Sequence, residues 1–424
     1  MSDTIHSAEA EQTELRARLC GLIAAPALRQ GKVSDAIVAH IEINEMHGVG
    51  VLLNRLFGGL PGILSIRSQD QFGGQQQFGE RHLRLQHGSS SRPLVYRRIL
   101  EALPQLDLKR VLAVPYFPDD VRTAIALADL HGCPLFTWLM DDQNLVDRRI
   151  PDALMRELLE RSRVRFAISG HMRDAYEAKY DLEIGVLPPT ISPHLIQSLP
   201  LQLAPSQLNP SRGAIVGNVW GAHWLTLLRK ALRGSDLRLD WFCNSGSLWL
   251  TVPEKELAAD GIVARGALPT EEDLKRELQG RPFAIVPSGT LDQHDDRRGI
   301  AALSLPSRLI FIAAAANTPA LVLGSRETAA ARFVESAGLG LVAGYQPAEI
   351  AAAVKRLVDP LIQRKMRAKA AELAPSFSSK GLADWIWRSL ECGAPADRRF
   401  EDLFPRSGFG AAGDVDTRVW ERQC

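Results

Sequence analysis

The chain has 424 residues, 46% of them hydrophobic, and its 50 Lys and Arg are almost balanced by 49 Asp and Glu. That length supports two or three domains with substantial cores, and a formal net charge of +1 provides no global field to draw the chain onto nucleic acid or an anionic membrane. The five cysteines (Cys20, Cys133, Cys243, Cys392, Cys424) form no CxxC pair and the ten histidines no HExxH pattern, which argues against a disulfide framework and against a zinc site. Acids and arginines near the start stand where a signal peptide needs a basic start and an apolar run, and no run of about twenty apolar residues spans a bilayer. The expectation is a soluble, cytoplasmic chain.

In chain order, residues 1–30 are expected as an N-terminal helical extension. Asp35 to Ile43 (DAIVAHIEI) is a mostly apolar run, short enough for a buried strand. A polar, glycine-bearing turn (44–50) follows, and VLLNRLF then has helical spacing. LKRVLAVPYF (108–117) predicts another strand, and a helix runs from Asp119 to His131 with Asp119 or Asp120 placed to cap it. CPLFTWLM (133–140) predicts a third strand, stopping at Asp141-Asp142. A helix over 152–162, the strand RFAIS (165–169) and a helix through Tyr180 continue the alternation. Such alternation argues for a parallel sheet covered on both faces.

Six prolines between Pro188 and Pro210 forbid a long helix there and predict a hinge. A second alternation follows: strand RGAIVGN, helix HWLTLLRKALRG, strands LRLDWFC and GIVARG, helix EEDLKRELQG. The strand Phe283 to Val286 then stops at Pro287-Ser288-Gly289. A small-residue helix (Ser307 to Ala316) turns at Asn317-Thr318-Pro319 into the buried strand Ala320 to Leu323. Helices over 347–358 and 360–369 and the segment 378–392 close this half. The boundaries are therefore 1–30 extension, 31–195 first domain, 196–210 hinge, 211–392 second domain and 393–424 tail. The tail is rich in Gly, Asp and Arg and reads as loosely held, with Phe404, Phe409 and Trp420 available to dock.

Pro287-Ser288, Pro306-Ser307-Arg308 and Asn317-Thr318-Pro319 resemble, in order, three features of the donor-binding half of family 4-like GT-B glycosyltransferases: a strand ending in Pro-Ser, a Pro-Ser-Lys start to a helix, and a Gly-x-Pro turn. The likeness covers roughly residues 35 to 390. His47-Gly48-Val49-Gly50 resembles the family's glycine-rich loop, and PLFTWLMDDQN its strand ending in an Asp near the reaction centre. GIVARGALPTEEDLKRELQGRPFAIVPS is the closest segment. The resemblance implies an α/β fold of GT-B type: two Rossmann-like α/β/α domains facing a central cleft. It also implies a hexosyltransferase-like transfer from a nucleotide-sugar donor to an acceptor hydroxyl, retaining and metal-independent. The nucleotide sugar would be substrate, with no cofactor. Glycan or cell-surface polysaccharide biosynthesis, a glycan or lipid-linked acceptor and peripheral contact with the inner face of a membrane belong to the same implication; nucleic acid does not.

The pattern also departs from the family. Its paired glutamates fall on Ser304 and on Phe311 or Ile312. After GNVWGAHW no basic residue comes before Arg229 and Lys230. Two alternatives share the fold: a non-catalytic GT-B protein that binds a nucleotide sugar or a partner, and a sugar-nucleotide epimerase.

Candidate residues follow from position. An Arg308 guanidinium fork suits a diphosphate, or serves a structural ion pair. Ser307 either caps its helix or meets phosphate, and capping is the commoner use. Asp141 ends a buried strand and is the candidate acid–base or orienting group; an Asp pair is also an ordinary turn and cap. Gly48 and Gly50 suit close backbone approach to an anion, or turn geometry alone. Ser288, Gly289 and Thr290 offer backbone groups to a donor, or form a plain strand-to-loop turn. The 294–298 cluster (His, Asp, Asp, Arg, Arg) reads as a mobile solvated loop, Trp220, His223 and Trp224 as packing, and His171 as a solvated or hydrogen-bonded histidine.

Overall fold

The computed structural model describes residues 23–24, 33–103, 106–243 and 252–406. The first sheet holds β1 (Ile23–Ala24), β2 (Asp35–Ala39), β3 (Ile63–Arg67), β4 (Arg81–Arg84), β5 (Arg110–Ala113), β6 (Leu135–Leu139), β7 (Ser162–Ala167) and β8 (Gly185–Val186). Their order is β1-β4-β3-β2-β5-β6-β7-β8. Every pairing is parallel except β1 with β4. The second sheet holds β9 (Arg212–Val216), β10 (Arg238–Phe242), β11 (Ile262–Gly266), β12 (Ala284–Pro287), β13 (Ala320–Leu323) and β14 (Gly340–Ala343). It is wholly parallel in the order β11-β10-β9-β12-β13-β14. Strand order reverses between β9 and β12, so a crevice opens beyond their carboxyl ends.

Side-chain alternation explains the layering. Ala214, Val216, Ala284, Val286, Ala320 and Val322 pack into one core. Ile215, Ile285, Leu321 and Leu323 pack into the other, with Trp224, Leu228 and Leu357 from the covering helices. A period of two, apolar on both faces, is what a doubly covered parallel strand requires. Small residues dominate the first face. Ala313 to Ala316, all buried, join the same core.

That helical run differs from the expected continuous α-helix. It is α over Ser307–Ile310 and π over Phe311–Ala315. The Ala316 amide donates to the Phe311 carbonyl, five residues back (3.1 Å). Asn317 ends the run at φ 55, its side chain donating to the Arg367 carbonyl (2.8 Å). The stretch Arg298–Ala315 is long and apolar enough by composition to cross a bilayer, but most of it is buried inside the protein.

Within the segment 1–30, Ile23–Ala24 is a strand rather than a helix; the other residues of that segment lie outside the described ones. The helix Leu382–Cys392, grouped with the second domain by the boundary at 392, packs on the first. Trp387 lies 5.3 Å from Phe57 and under the Arg110 guanidinium, and Trp385 lies 5.1 Å from Phe166. The tail is held as far as it is described: Phe400 and Phe404 are buried, Phe400 edge-to-face with Trp385 and Phe404 stacked on Phe333. Phe409 and Trp420 lie outside the described residues.

Candidate functional site

Parallel strands send their carboxyl-terminal loops to the same edge, and both sheets turn that edge toward the interdomain cleft. From the first domain come the turns after β2, β5 and β6. After β2, His47 caps the helix Gly48–Phe57, its Nδ1 accepting from the Gly50 amide at 3.3 Å. Its Nε2 lies 2.7 Å from the Glu42 carbonyl, which places the ring proton there. Glu42 is fully buried and gathers the next loop, accepting from the amides of Gln71, Phe72 and Gly74 at 2.9, 3.1 and 2.7 Å. After β5, the Asp120 carboxylate accepts from the Tyr116 and Phe117 amides (2.9 and 2.8 Å) and fixes that turn.

The two aspartates after β6 divide the work. Asp142 is buried and nucleates the following loop, accepting from the amides of Asn144, Leu145, Val146 and Asp147 (3.1, 2.8, 2.8, 3.3 Å) and from the Tyr176 hydroxyl (3.0 Å). Asp141 faces the cleft and accepts from the Tyr116 hydroxyl. Burial raises the Asp141 carboxyl above its usual range and outweighs the Tyr116 hydrogen bond, while Asp147 and Asp142 push the same way as burial. Burial, then the Asp141 charge, pushes the Tyr116 phenol well up, so it stays a donor. His40 stacks on Tyr116 (3.8 Å, 19°), and burial beside His47 and Arg149 keeps its pKa well below the ordinary histidine value.

From the second domain comes Arg308. Its Nη1 donates to the Val216 carbonyl (3.4 Å) and the Asn218 carbonyl at the end of β9. Burial lowers this guanidinium to about 10, with Asp141 acting the other way. Among the described residues its other nitrogens have no protein partner. Ser307 is not the cap that its position suggested. Pro306 holds the N-cap position, with no side-chain cap bond, and the Ser307 hydroxyl faces the first domain: a Cβ on Gly48 would lie 3.3 Å from it. Asp141, Gly48, Ser307 and Arg308 therefore converge across the cleft.

The remaining candidates stand apart from that convergence. A Cβ on Gly50 would fall 2.2 Å from the Asn44 carbonyl oxygen, and the Gly50 amide is already bonded to His47, so turn geometry explains this glycine. A Cβ on Gly289 would meet Asp295 at 2.2 Å and Ala301 at 2.5 Å. The Ser288 carbonyl accepts from Tyr345 (2.7 Å). Both are packed behind the crevice. Thr290 is half-buried, its hydroxyl beside the Asp292 carboxylate. Ser304, which stands at about a family glutamate's place, is buried with its hydroxyl beside the Asp141 carboxyl.

The 294–298 loop is organised rather than solvated. Asp295 is buried and accepts from Trp224 Nε1 (2.8 Å) and the amides of Leu291 and Arg297 (2.9 and 3.0 Å). Asp296 accepts from the amides of Ala222 and His223 (3.0 and 3.3 Å) at the start of the helix Ala222–Leu232. Trp224 is buried as packing. His171 lines a separate cavity of about 230 Å³ between the domains, with Leu305, Arg332 and Phe404. Burial, then Arg332, takes its pKa down to about 4. A larger depression of about 490 Å³, around Cys133 and Arg161, lies at the opposite edge of the first sheet. Sequence reasoning missed Tyr116 and His40. The stack needs β2 and β5 to be neighbours, a pairing that no local signal announces.

Two parallel α/β/α domains whose strand ends face one cleft, with the last helix returning to the first domain, define the GT-B fold. Comparison with solved structures bears this out. Sucrose-phosphate synthase from Thermosynechococcus elongatus superposes with a TM-score of 0.59 at 13% identity, over 85% of this chain and 100% of that one. Anabaena HepE, solved in complex with UDP, gives 0.59 at 12% identity over 85% and 100%. WaaG, a glycosyltransferase involved in lipopolysaccharide biosynthesis, gives 0.53 at 11% identity over 82% and 98%. No family model matches the chain, and no curated sequence is detectably similar.

Proposed function

We propose that this protein is a glycosyltransferase that moves a sugar from a nucleoside-diphosphate donor to an acceptor hydroxyl. The observation that carries it is the facing of Asp141 and Tyr116 on one wall by Ser307 and Arg308 on the other. Arg308 is anchored by one nitrogen and keeps the rest of its fork for the diphosphate, where negative charge grows as the glycosidic bond breaks. The Ser307 hydroxyl and the helix start add donors. Tyr116 holds Asp141 toward the reacting sugar, where the carboxyl orients or deprotonates the acceptor hydroxyl. Residues after β9 and β12 enclose the nucleotide, Thr290 among them. Net retention, metal independence, a cytoplasmic location at the inner face of a membrane and a role in glycan assembly belong to this proposal and rest on the family resemblance. HepE binds UDP in the same fold, so UDP is the first nucleotide to try.

A second reading has one observation in its favour. Ser304 and Phe311 or Ile312 stand at about the places of the family's paired glutamates, which favours a binding protein without turnover. The two readings part in one experiment. Thermal unfolding is followed with UDP, GDP, ADP and dTDP, then with the matching UDP-sugars, while nucleotide release is assayed. A ligand at about 100 times its Kd adds about 2.7 kcal/mol. Stabilisation by one diphosphate with turnover supports the transferase, and stabilisation without turnover supports the binding protein. No stabilisation by any of them removes both.

A further inference from the structure

Beyond the donor site, the cleft mouth holds a guanidinium that the fold presents without an acceptor. The loop from Asp142 to Ile150 is rigid, because the Asp142 carboxylate collects four of its amides and Asn144 Nδ2 closes its end on the Ile150 carbonyl (2.9 Å). At its crest Arg148 is held at φ 45, a left-handed conformation that a side-chain-bearing residue rarely adopts. Strain of this kind persists where surrounding structure over-determines it and collects at ligand sites. Its effect here is to set the next residue, Arg149, over Phe117, with the guanidinium carbon 5.1 Å from the ring centroid. Phe117 belongs to the turn that Asp120 fixes and lies 6.3 Å from His40.

Arg149 makes no hydrogen bond or close ion pair with any described residue, Asp147 being an acid that feels its charge without bonding it, whereas the exposed Arg92, Arg97, Arg156 and Arg161 of the same domain each pair with an acid. A guanidinium stacked on an aromatic face is pre-oriented, loses little freedom on binding, and offers its donors edge-on as a two-pronged fork. The oxygens that fit such a fork are those of a phosphate monoester or a carboxylate. The inner wall beside it is formed by His40, Tyr116 and Asp141, so a group held at Arg149 lies on the first-domain side of the candidate reaction centre, away from Ser307 and Arg308.

We propose that Arg149, seated on Phe117, anchors an acceptor subsite, and that the acceptor carries an anionic group. This rests on the transferase reading for the word acceptor; the anion site itself does not. Binding oxygens at Arg149 would orient the acceptor so that its hydroxyl points inward toward Asp141.

The test uses the full chain. Phenylglyoxal labelling of Arg149 is followed by peptide mass spectrometry at constant ionic strength in chloride, inorganic phosphate, glucuronate and glucose. Phosphate or glucuronate should slow labelling at least about fivefold relative to chloride, as a fork-bound oxyanion would, and the better protector identifies the anion. Glucose should not protect. In parallel, Arg149→Ala and Arg149→Lys are titrated with the protecting anion. The alanine variant should bind about tenfold or more weakly and the lysine variant in between, with UDP affinity unchanged. Equal labelling in all four solutions overturns the proposal, as does anion binding that survives in Arg149→Ala. If UDP fails to bind any of the proteins, the donor reading fails while the labelling result still decides the anion site.

Discussion

At the scale of single residues, Arg308 and Asp141 have separate tasks in the proposed reaction. Arg308→Ala should cost about 2.7–4 kcal/mol in the transition state for transfer, as losing an oxyanion donor does, and should weaken UDP binding as well. Arg308→Lys, which restores one charge but no fork, should recover part of it. Undiminished UDP affinity in the alanine variant, by calorimetry, would take Arg308 out of the donor site. Asp141→Ala should instead cut transfer by about 10²-fold or more with UDP affinity kept. A variant that turns over like wild type would show that Asp141 only braces Tyr116. Gly48 and Gly50 offer a contrast at the same turn. Gly50→Ala drives a Cβ against the Asn44 backbone and His47 and should cost about 1–3 kcal/mol in urea unfolding. Gly48→Ala meets only the movable Ser307 hydroxyl at 3.3 Å, so its effect should fall on substrate affinity rather than on stability.

At the scale of elements, Asp120 makes the turn after β5 sensitive to pH. Burial raises its carboxyl to about 7, despite the two backbone amides that favour the charged form. The native state therefore binds this proton more tightly than the unfolded chain does. Its stabilising share is full below the ordinary carboxylate pKa and is lost as pH rises to about 7. Asp120→Asn keeps an oxygen for the Tyr116 and Phe117 amides and has no ionisation to suffer. Its urea midpoint should exceed that of wild type near pH 8, with the gain vanishing toward pH 4. A variant less stable at pH 8 would mean that the charge itself is stabilising. The same element shows what the sequence made legible. β2, β5, β6, β9, β10, β12 and β13 are apolar runs bounded by polar turns, and each stands within a few residues of its expected place. β3, β4 and the helix Arg92–Ala102 were not anticipated: β4 (RHLR) is polar and half-exposed at the sheet edge, and the helix carries three arginines on a weakly amphipathic face. Arg308 and Asp141 were legible because each follows a strong local signal. Arg149 was not, because neither its neighbour's φ nor the seat on Phe117 is written in a local pattern.

At the scale of the whole molecule, the domains are drawn together. The Arg55 guanidinium donates to the Thr190 carbonyl (2.6 Å) and pairs with Glu271 of the second domain, and Ser169 Oγ donates to the Leu303 carbonyl. A Cβ on Gly299 would lie 2.8 Å from Asp142 Oδ2 across the same cleft. With Gly48 against Ser307, the two walls meet in this closed arrangement, so donor entry and product release require rotation about the proline-rich segment between the sheets. Glu271 is half-exposed but Arg55 is buried, so losing the acid strands a buried guanidinium and should lower stability. Glu271→Gln should also widen the cleft, seen as a larger radius of gyration in solution scattering that UDP reverses. An unchanged radius with and without UDP would argue against hinge closure.

The most direct measurement is a crystal structure with UDP bound. The β-phosphate should lie at the Ser307 hydroxyl and the free nitrogens of Arg308, with Asp141 and Tyr116 facing it across the cleft. UDP bound away from Ser307 and Arg308, or a cleft that stays empty at saturating UDP, would contradict that donor site.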